Sequence, residues 1–397
     1  MDRARRPRIP TPVILLGLAA LLNDVSSDII YPLLPIFLSA QLGATPFVVG
    51  MIEGLADALA SILKLGAGWW SDRTPRRKPF VVAGYGIAAV ARLILAIATF
   101  WPVVLASRLL DRTGKGIRSA PRDALIADVT PPEQRGQAFG LHRAMDHAGA
   151  LIGPLIAALL VGVFALPFRT IFLIAVIPGI IGVAVIAATL REVPRRQRDA
   201  AELATPPAKL PRELRKPLVA IAIFAMANSS DVFLILQASA AGVSTVWIPI
   251  LWAGHHAVKA ALSTAGGALS DRSRRNRVLA SGWAMYGVVY FMFPLATSVT
   301  WFAVMFVAYA LPFTLTEGTE RAWIADHLTA DLKGRAFGAY YLIQGVCTLA
   351  GTAVFGLWYE HISHMGAFHL AGGIALVAAI FALSADRPAT PPSPANA

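Results

Sequence analysis

Asp24 and Asp28 lie four residues apart in an apolar stretch, so on a helix they share one face. Two carboxylates one turn apart repel each other, and burial adds to the cost of ionising both; a proton relieves that cost. Such a pair can hold a proton in one conformation and lose it in another. It can equally pair with a buried cation, for which Arg92 and Arg108 are the nearest candidates. Glu53 and Asp57 repeat the spacing, with Glu53 close to the end of its apolar stretch, where solvent exposure is expected. Asp231 and Glu317 are further carboxylates in apolar surroundings, Glu317 being a candidate contact for a cation. His142 and Asp146 stand one turn apart, and a histidine with a carboxylate at that spacing could hold a divalent metal. No His-x-x-x-His pair or His-rich tract accompanies them.

A second set of charges crowds the ends of apolar stretches. Arg108, Asp111, Arg112 and Asp123 with Arg122 read as a gating or packing network. Glu320-Arg321 stands later in the chain where Arg122-Asp123 stands earlier, with the charge order inverted, which implies paired salt bridges across a pseudo-twofold axis. No phosphate-cradling Gly-x-x-x-x-Gly-Lys-Ser/Thr is present, and no catalytic set is visible; neither an enzyme nor a cofactor site is expected. A single cysteine, Cys347, excludes an intramolecular disulfide and a Cys-based metal centre.

The elements that must position these charges follow from composition. The chain has 397 residues, 56% hydrophobic and 15% charged, against roughly 25% charged in soluble domains. Its net charge of +12 sits in short basic clusters without aromatic interleaving, a membrane-topology pattern that argues against a nucleic-acid partner. Apolar runs long enough to cross about 30 Å of hydrocarbon recur near 12–38, 46–70, 79–99, 101–120, 137–164, 168–190, 217–241, 245–269, 278–298, 300–324, 335–360 and 364–385. Lys and Arg cluster before span 1, after spans 2, 4, 8 and 10, and in the segment 191–216, while the alternate loops lack them. Twelve spans with both termini cytoplasmic put every basic loop on one side. The basic start followed by an apolar run from Val13 could pass for a secretory signal, but the run continues past Asn23 and Asp24, so it reads as a retained span 1.

The chain also repeats itself. Gly68 to Arg73 matches Gly267 to Arg272 at an offset of 199; Ile126-Ala127-Asp128 matches Ile324-Ala325-Asp326 at 198; Ser26-Ser27-Asp28 matches Ser229-Ser230-Asp231 at 203. Spans 1–6 and 7–12 are therefore expected to be two copies of one six-helix unit in the same orientation. The expected organisation is an N-terminal bundle over 1–190, a Pro-containing basic linker over 191–216, a C-terminal bundle over 217–386 and a disordered tail over 387–397.

Taken together these residues resemble the major facilitator superfamily, whose halves are parallel repeats. Gly68, Asp72, Arg73, Arg76 and Arg77 resemble its loop signature after span 2, with Pro75 at a usual glycine; Gly267, Asp271, Arg272 and Arg275 form the second copy. Arg108 resembles the span 4 arginine of the family, although Arg112 occupies a usual glycine place. Gly149-x-x-x-Gly153-Pro154 is similar to the antiporter signature of span 5, with the later glycines replaced by Ala157 and Ala158, and marks a hinge or helix-packing site. Pro32-Leu33-Leu34-Pro35 resembles a pattern of twelve-span drug:proton antiporters. The resemblance implies an all-α polytopic fold of two pseudo-symmetric six-helix bundles. Physically, Asp72 at a helix end, bridged to Arg76, would lock two helices on one side of the membrane.

The function expected from the sequence is a monomeric secondary transporter of the inner membrane, working by alternating access and exporting a cationic or zwitterionic solute in exchange for protons. Asp24, Asp28, Asp57, Asp146, His142, Asp231 and Glu317 are its candidates for substrate or proton coupling. Asp72, Arg73, Arg76, Arg108, Asp111, Arg112, Asp123, Asp271, Arg272, Arg275, Glu320 and Arg321 are its candidate gate. A divalent metal-ion transporter of the same fold is the alternative.

Overall fold

A computed structural model describes residues 9–74, 76–131, 135–190, 212–296, 298–327 and 333–385. The expected linker up to residue 211, the expected tail and the basic residues before Ile9 lie outside the described residues. The helices are α1 (Thr11–Ile30), α2 (Leu34–Ile36), α3 (Pro46–Arg73), α4 (Lys78–Ala96), α5 (Trp101–Val129), α6 (Arg135–Gly162) and α7 (Phe168–Thr189). They continue as α8 (Arg215–Ala227), α9 (Val232–Ala240), α10 (Trp247–Arg272), α11 (Arg275–Met292), α12 (Val299–Ala308), α13 (Ala310–Ala325), α14 (Lys333–His361) and α15 (His364–Leu383). The protein is all-α, and no strand occurs among the described residues.

Three expected spans are broken, each by recognisable chemistry. Span 1 parts at Tyr31–Leu33, beside Pro32 and Pro35, and resumes as α2 and a π-helical turn, Phe37–Gln41. Span 7 parts at Asn228–Asp231, four side chains that compete for backbone groups. The Ser230 N–H released there is taken by Thr352 Oγ1 at 3.2 Å. Span 10 parts at Tyr309, one turn before Pro312, which cannot donate back along the helix. Elsewhere prolines open the first turns of α4 and α5, where no donor is lost. Ser298 and Ser363 cap α12 and α15.

Ten helical segments are long and apolar enough to cross a membrane among the described residues. α5 and α10 are not among them. α5 carries Arg108, Asp111, Arg112, Lys115, Arg118, Arg122 and Asp123; α10 carries His255, His256 and Lys259 in its middle. Helices so charged persist in a bilayer only where the charges face protein or water.

The helices form two compact units. One gathers the described residues within Met1–Ala44, Leu55–Thr205 and Val243–His256; the other, those within Thr45–Gly54, Pro206–Gly242 and Ala257–Ala397. The start of α3 thus groups with the second unit and the start of α10 with the first. Within the first unit α1 packs on α6 and α7, and α4 on α5 and α7. Within the second, α8 packs on α14 and α15, and α11 on α13 and α15. These are the same four pairings, span for span, so the sequence repeat is also a packing repeat.

Candidate substrate and proton site

The acidic face of α1 lies against the two glycines of α6. A Cβ at Gly149 would stand 2.6 Å from the Leu21 carbonyl oxygen and 2.8 Å from Asp24 Cβ; one at Gly153 would stand 2.8 Å from the Val25 oxygen and 2.9 Å from Asp28 Cβ. Only residues without a side chain allow so close a crossing. Gly149 and Gly153 therefore set the position of Asp24 and Asp28 directly. Asp146 of α6 lies close enough to Asp24 to interact with it, and it meets His142 Nδ1 at 3.7 Å and Arg143 at 3.6 Å. Trp252 lies beside Asp28, and its ring is 5.0 Å from that of Tyr31.

Behind this face runs a buried arginine network. Asn23 donates to Asp24 at 3.0 Å and accepts from Arg92 at 2.9 Å. Arg92, only 3% exposed, also donates to Ser26 Oγ at 2.8 Å and to Asp111 at 3.2 Å. Asp111 in turn lies 3.8 Å from Arg108 and 3.6 Å from Arg112, and Arg112 reaches Asp57 at 2.8 Å. The alternative pairing of Asp24 with a buried arginine takes the form of a relay, Asn23 standing between Asp24 and Arg92, while Asp111 also meets the guanidinium. Glu53, expected in solvent, is buried at 1% exposure in the second unit.

In the second unit, Asp231 at the break between α8 and α9 accepts from Tyr309 at 2.6 Å. Tyr286 stacks on Tyr290, their centroids 4.2 Å apart, and both rings adjoin Tyr309. Lys259 of α10 pairs with Glu317 of α13. The polarity is the reverse of the first unit, where the cation, Arg112, sits on α5 and the carboxylate, Asp57, on α3. Glu320 is enclosed by three donors, Trp283 at 3.3 Å, Tyr340 at 3.0 Å and Gln344 at 3.2 Å. Arg122 pairs with its neighbour Asp123 at 2.9 Å, and Arg321 lies beside Tyr341. Each of these four residues therefore finds partners inside its own unit. No group of three or more His, Cys, Asp or Glu gathers among the described residues, and His142 with Asp146 stays a pair.

The loop signature builds an ion pair at the same place in each repeat. Arg77, at the start of α4, pairs with Asp128 at the end of α5. Arg275, at the start of α11, bonds Asp326 at the end of α13 at 2.6 Å, with Asp271 of α10 at 3.3 Å. A family profile for the Major Facilitator Superfamily matches residues 16–258 and 253–397. The chain belongs to the Major Facilitator Superfamily. An uncharacterized MFS-type transporter of Methanocaldococcus jannaschii is 32% identical to it over 353 residues, 87% of this chain and 88% of its own. The multidrug resistance protein MdtH of Edwardsiella ictaluri is 32% identical over 130 residues, 33% of this chain and 32% of its own. A POT peptide transporter solved in complex with sulfate superposes with a TM-score of 0.80 at 15% identity, covering 94% of each chain, a likeness of fold. This MFS chain is a multi-pass membrane transporter.

Its candidate gate differs in detail from the sequence expectation. The side chains of Asp72 and Arg73 lie outside the described residues, while Arg76 and Arg272 are exposed. Arg77, not Arg76, makes the pair in the first unit. Asp128 and Asp326 were not among the expected gate residues, yet they lie 198 positions apart, as do Arg77 and Arg275. That shared offset was the available signal. The Arg275–Asp326 pair is partly exposed, so it contributes at most about 1 kcal/mol to stability. Asp326→Arg is expected to leave the melting temperature within about 2 °C while slowing transport. Arg275→Asp combined with Asp326→Arg is expected to restore the rate in proteoliposome flux assays.

Proposed function

We propose that this transporter exports a cationic or zwitterionic solute across the inner membrane in exchange for protons, with both termini on the cytoplasmic side. The observation that carries the reading is the seating of Asp24 and Asp28 on Gly149 and Gly153. A helix crossing with no side chain between the backbones lets a small shift of α6 against α1 change the surroundings of both carboxylates. Proton and cation would then compete for the same acidic face, each favouring a different state by its differential affinity. The ion pairs Arg77–Asp128 and Arg275–Asp326 would hold helix ends together in one state and release them in the other. Export is supported by the span 5 pattern and by the relatedness of one third of the chain to multidrug resistance proteins. The orientation is supported by the alternation of basic loops.

The test uses proteoliposomes carrying a trapped pH dye and a pH gradient, with ethidium, tetraphenylphosphonium and zwitterionic antibiotics added in turn. At least one compound is expected to dissipate the gradient, and Asp24→Asn or Asp28→Asn is expected to abolish the response. A wild-type protein that transports a compound with no pH response would remove proton coupling. A response retained in both variants would remove the assigned residues.

A further inference from the structure

Lys259 sits at the middle of α10, and among the described residues its ammonium meets two side chains of α13. One is the carboxylate of Glu317; the other is the ring of Phe313, whose centroid lies 4.8 Å away. Phe313 and Glu317 are four residues apart and share a helix face, which continues one turn back to Tyr309 and its bond to Asp231. A carboxylate beside an aromatic face is the chemistry that recognises an organic ammonium ion. The exposures are unequal: the Lys259 side chain is 15% exposed and that of Glu317 44%. Hydrocarbon excludes charge, so the open side of a carboxylate well inside α13 meets water or a ligand.

We infer that Glu317 and Phe313 form a subsite for the alkylammonium group of the substrate, and that Lys259 occupies it as a tethered stand-in until substrate arrives. The inference rests on the cationic-substrate reading above and narrows it to compounds bearing an alkylammonium. A tethered group acts at millimolar effective concentration. It lowers the apparent affinity by the fraction of time it holds the site. When the incoming ammonium takes Glu317, the Lys259 ammonium is released toward water, so an empty and a loaded subsite differ in where one lysine charge points.

Equilibrium binding of radiolabelled n-hexylammonium to the purified full-length protein, without any pH gradient, tests this. Lys259→Met and Lys259→Gln are each expected to bind about tenfold tighter than wild type, the gain for a stand-in present about nine-tenths of the time. Adding Glu317→Gln is expected to erase the gain. A second measurement needs no variant: hexyltrimethylammonium, which has no N–H of its own to acylate, is expected to speed acylation of Lys259 by acetic anhydride, read by mass spectrometry. Unchanged or slower acylation overturns the stand-in role, as does binding no tighter in the folded Lys259 variants. Tight binding that survives Glu317→Gln overturns the subsite. The binding assay carries no pH gradient, so a failure of proton coupling appears only in the dye assay and leaves the Lys259 and Glu317 results standing.

Discussion

A Gly153→Leu chain is expected to accumulate in membranes at no more than about a tenth of the wild-type amount. The reason is the identity of the atoms a side chain would meet. At Gly153 a single Cβ already stands 2.8 Å from a backbone oxygen, 2.9 Å from Asp28 Cβ and 3.0 Å from the Asp28 carbonyl carbon. None of these is the end of a flexible side chain that could swing away. α1 and α6 must part, and α1 also packs on α7, so the strain spreads to both crossings. Overpacking costs about 1–3 kcal/mol even for a methyl group, and a leucine exceeds that. Pro154 follows directly and already removes a helical donor, leaving this turn of α6 with less backbone bonding to resist distortion. Gly153→Ala is expected to fold with a lowered melting temperature and to lose transport out of proportion, because it displaces Asp28. Gly373→Ala in α15, where a Cβ meets nothing within 4 Å, serves as the control. It should leave melting temperature and transport unchanged or raise the former slightly, alanine being the better helix former by about 1 kcal/mol. Fluorescence-detected size exclusion and thermal unfolding read both results, and a well-folded Gly153→Leu protein would refute the close crossing.

The second large effect is expected at Arg92. Its guanidinium satisfies Asn23, Ser26 and Asp111 from one buried position. Arg92→Met leaves Asp111 with the longer contacts to Arg108 and Arg112. Breaking a buried ion pair from one side costs about 3–5 kcal/mol, since the remaining charge stays desolvated. The variant is expected to unfold at a clearly lower temperature. Arg92→Met combined with Asp111→Leu removes both charges and is expected to recover at least half of the loss, because well-packed apolar replacements of a buried pair come close to neutral. Equal and additive losses in the two single variants and the double variant would show that the two side chains do not act as a pair.

Asp24 is joined to this network by hydrogen bonds through Asn23, which bonds both Asp24 and Arg92. An Asn23→Leu change cuts that link while leaving Arg92 on Asp111. It is therefore expected to alter the pH response of transport more than the melting temperature, the reverse of the order expected for Arg92→Met. Dye assays and thermal unfolding on the same preparation separate the two.

The sequence by itself determined the class, the repeat and most of the spans. Those properties follow from hydropathy and charge placement, which each stretch of chain carries independently of its neighbours. It also identified the two features that meet at the site, the acidic pair of span 1 and the glycine pair of span 5, but as separate facts. Only the tertiary structure decided that Gly149 faces Asp24 and Gly153 faces Asp28, because helix rotation is set by packing and a periodic pattern does not specify the partner. The same holds for the arginines. Arg92, Arg108 and Arg112 compete for few carboxylates, and which one reaches Asp111 or Asp57 depends on distances of a few ångströms across α3, α4 and α5. The breaks at Tyr31–Leu33, Asn228–Asp231 and Tyr309 lie between: proline and Asn/Ser/Asp chemistry permits a break, and the fold chooses where the freed backbone groups, as at Ser230 with Thr352, find a partner. The ion pairs Arg77–Asp128 and Arg275–Asp326 were written in the repeat at a constant offset, yet selecting Arg77 over Arg76 required the direction of each side chain, which spacing along a loop does not carry.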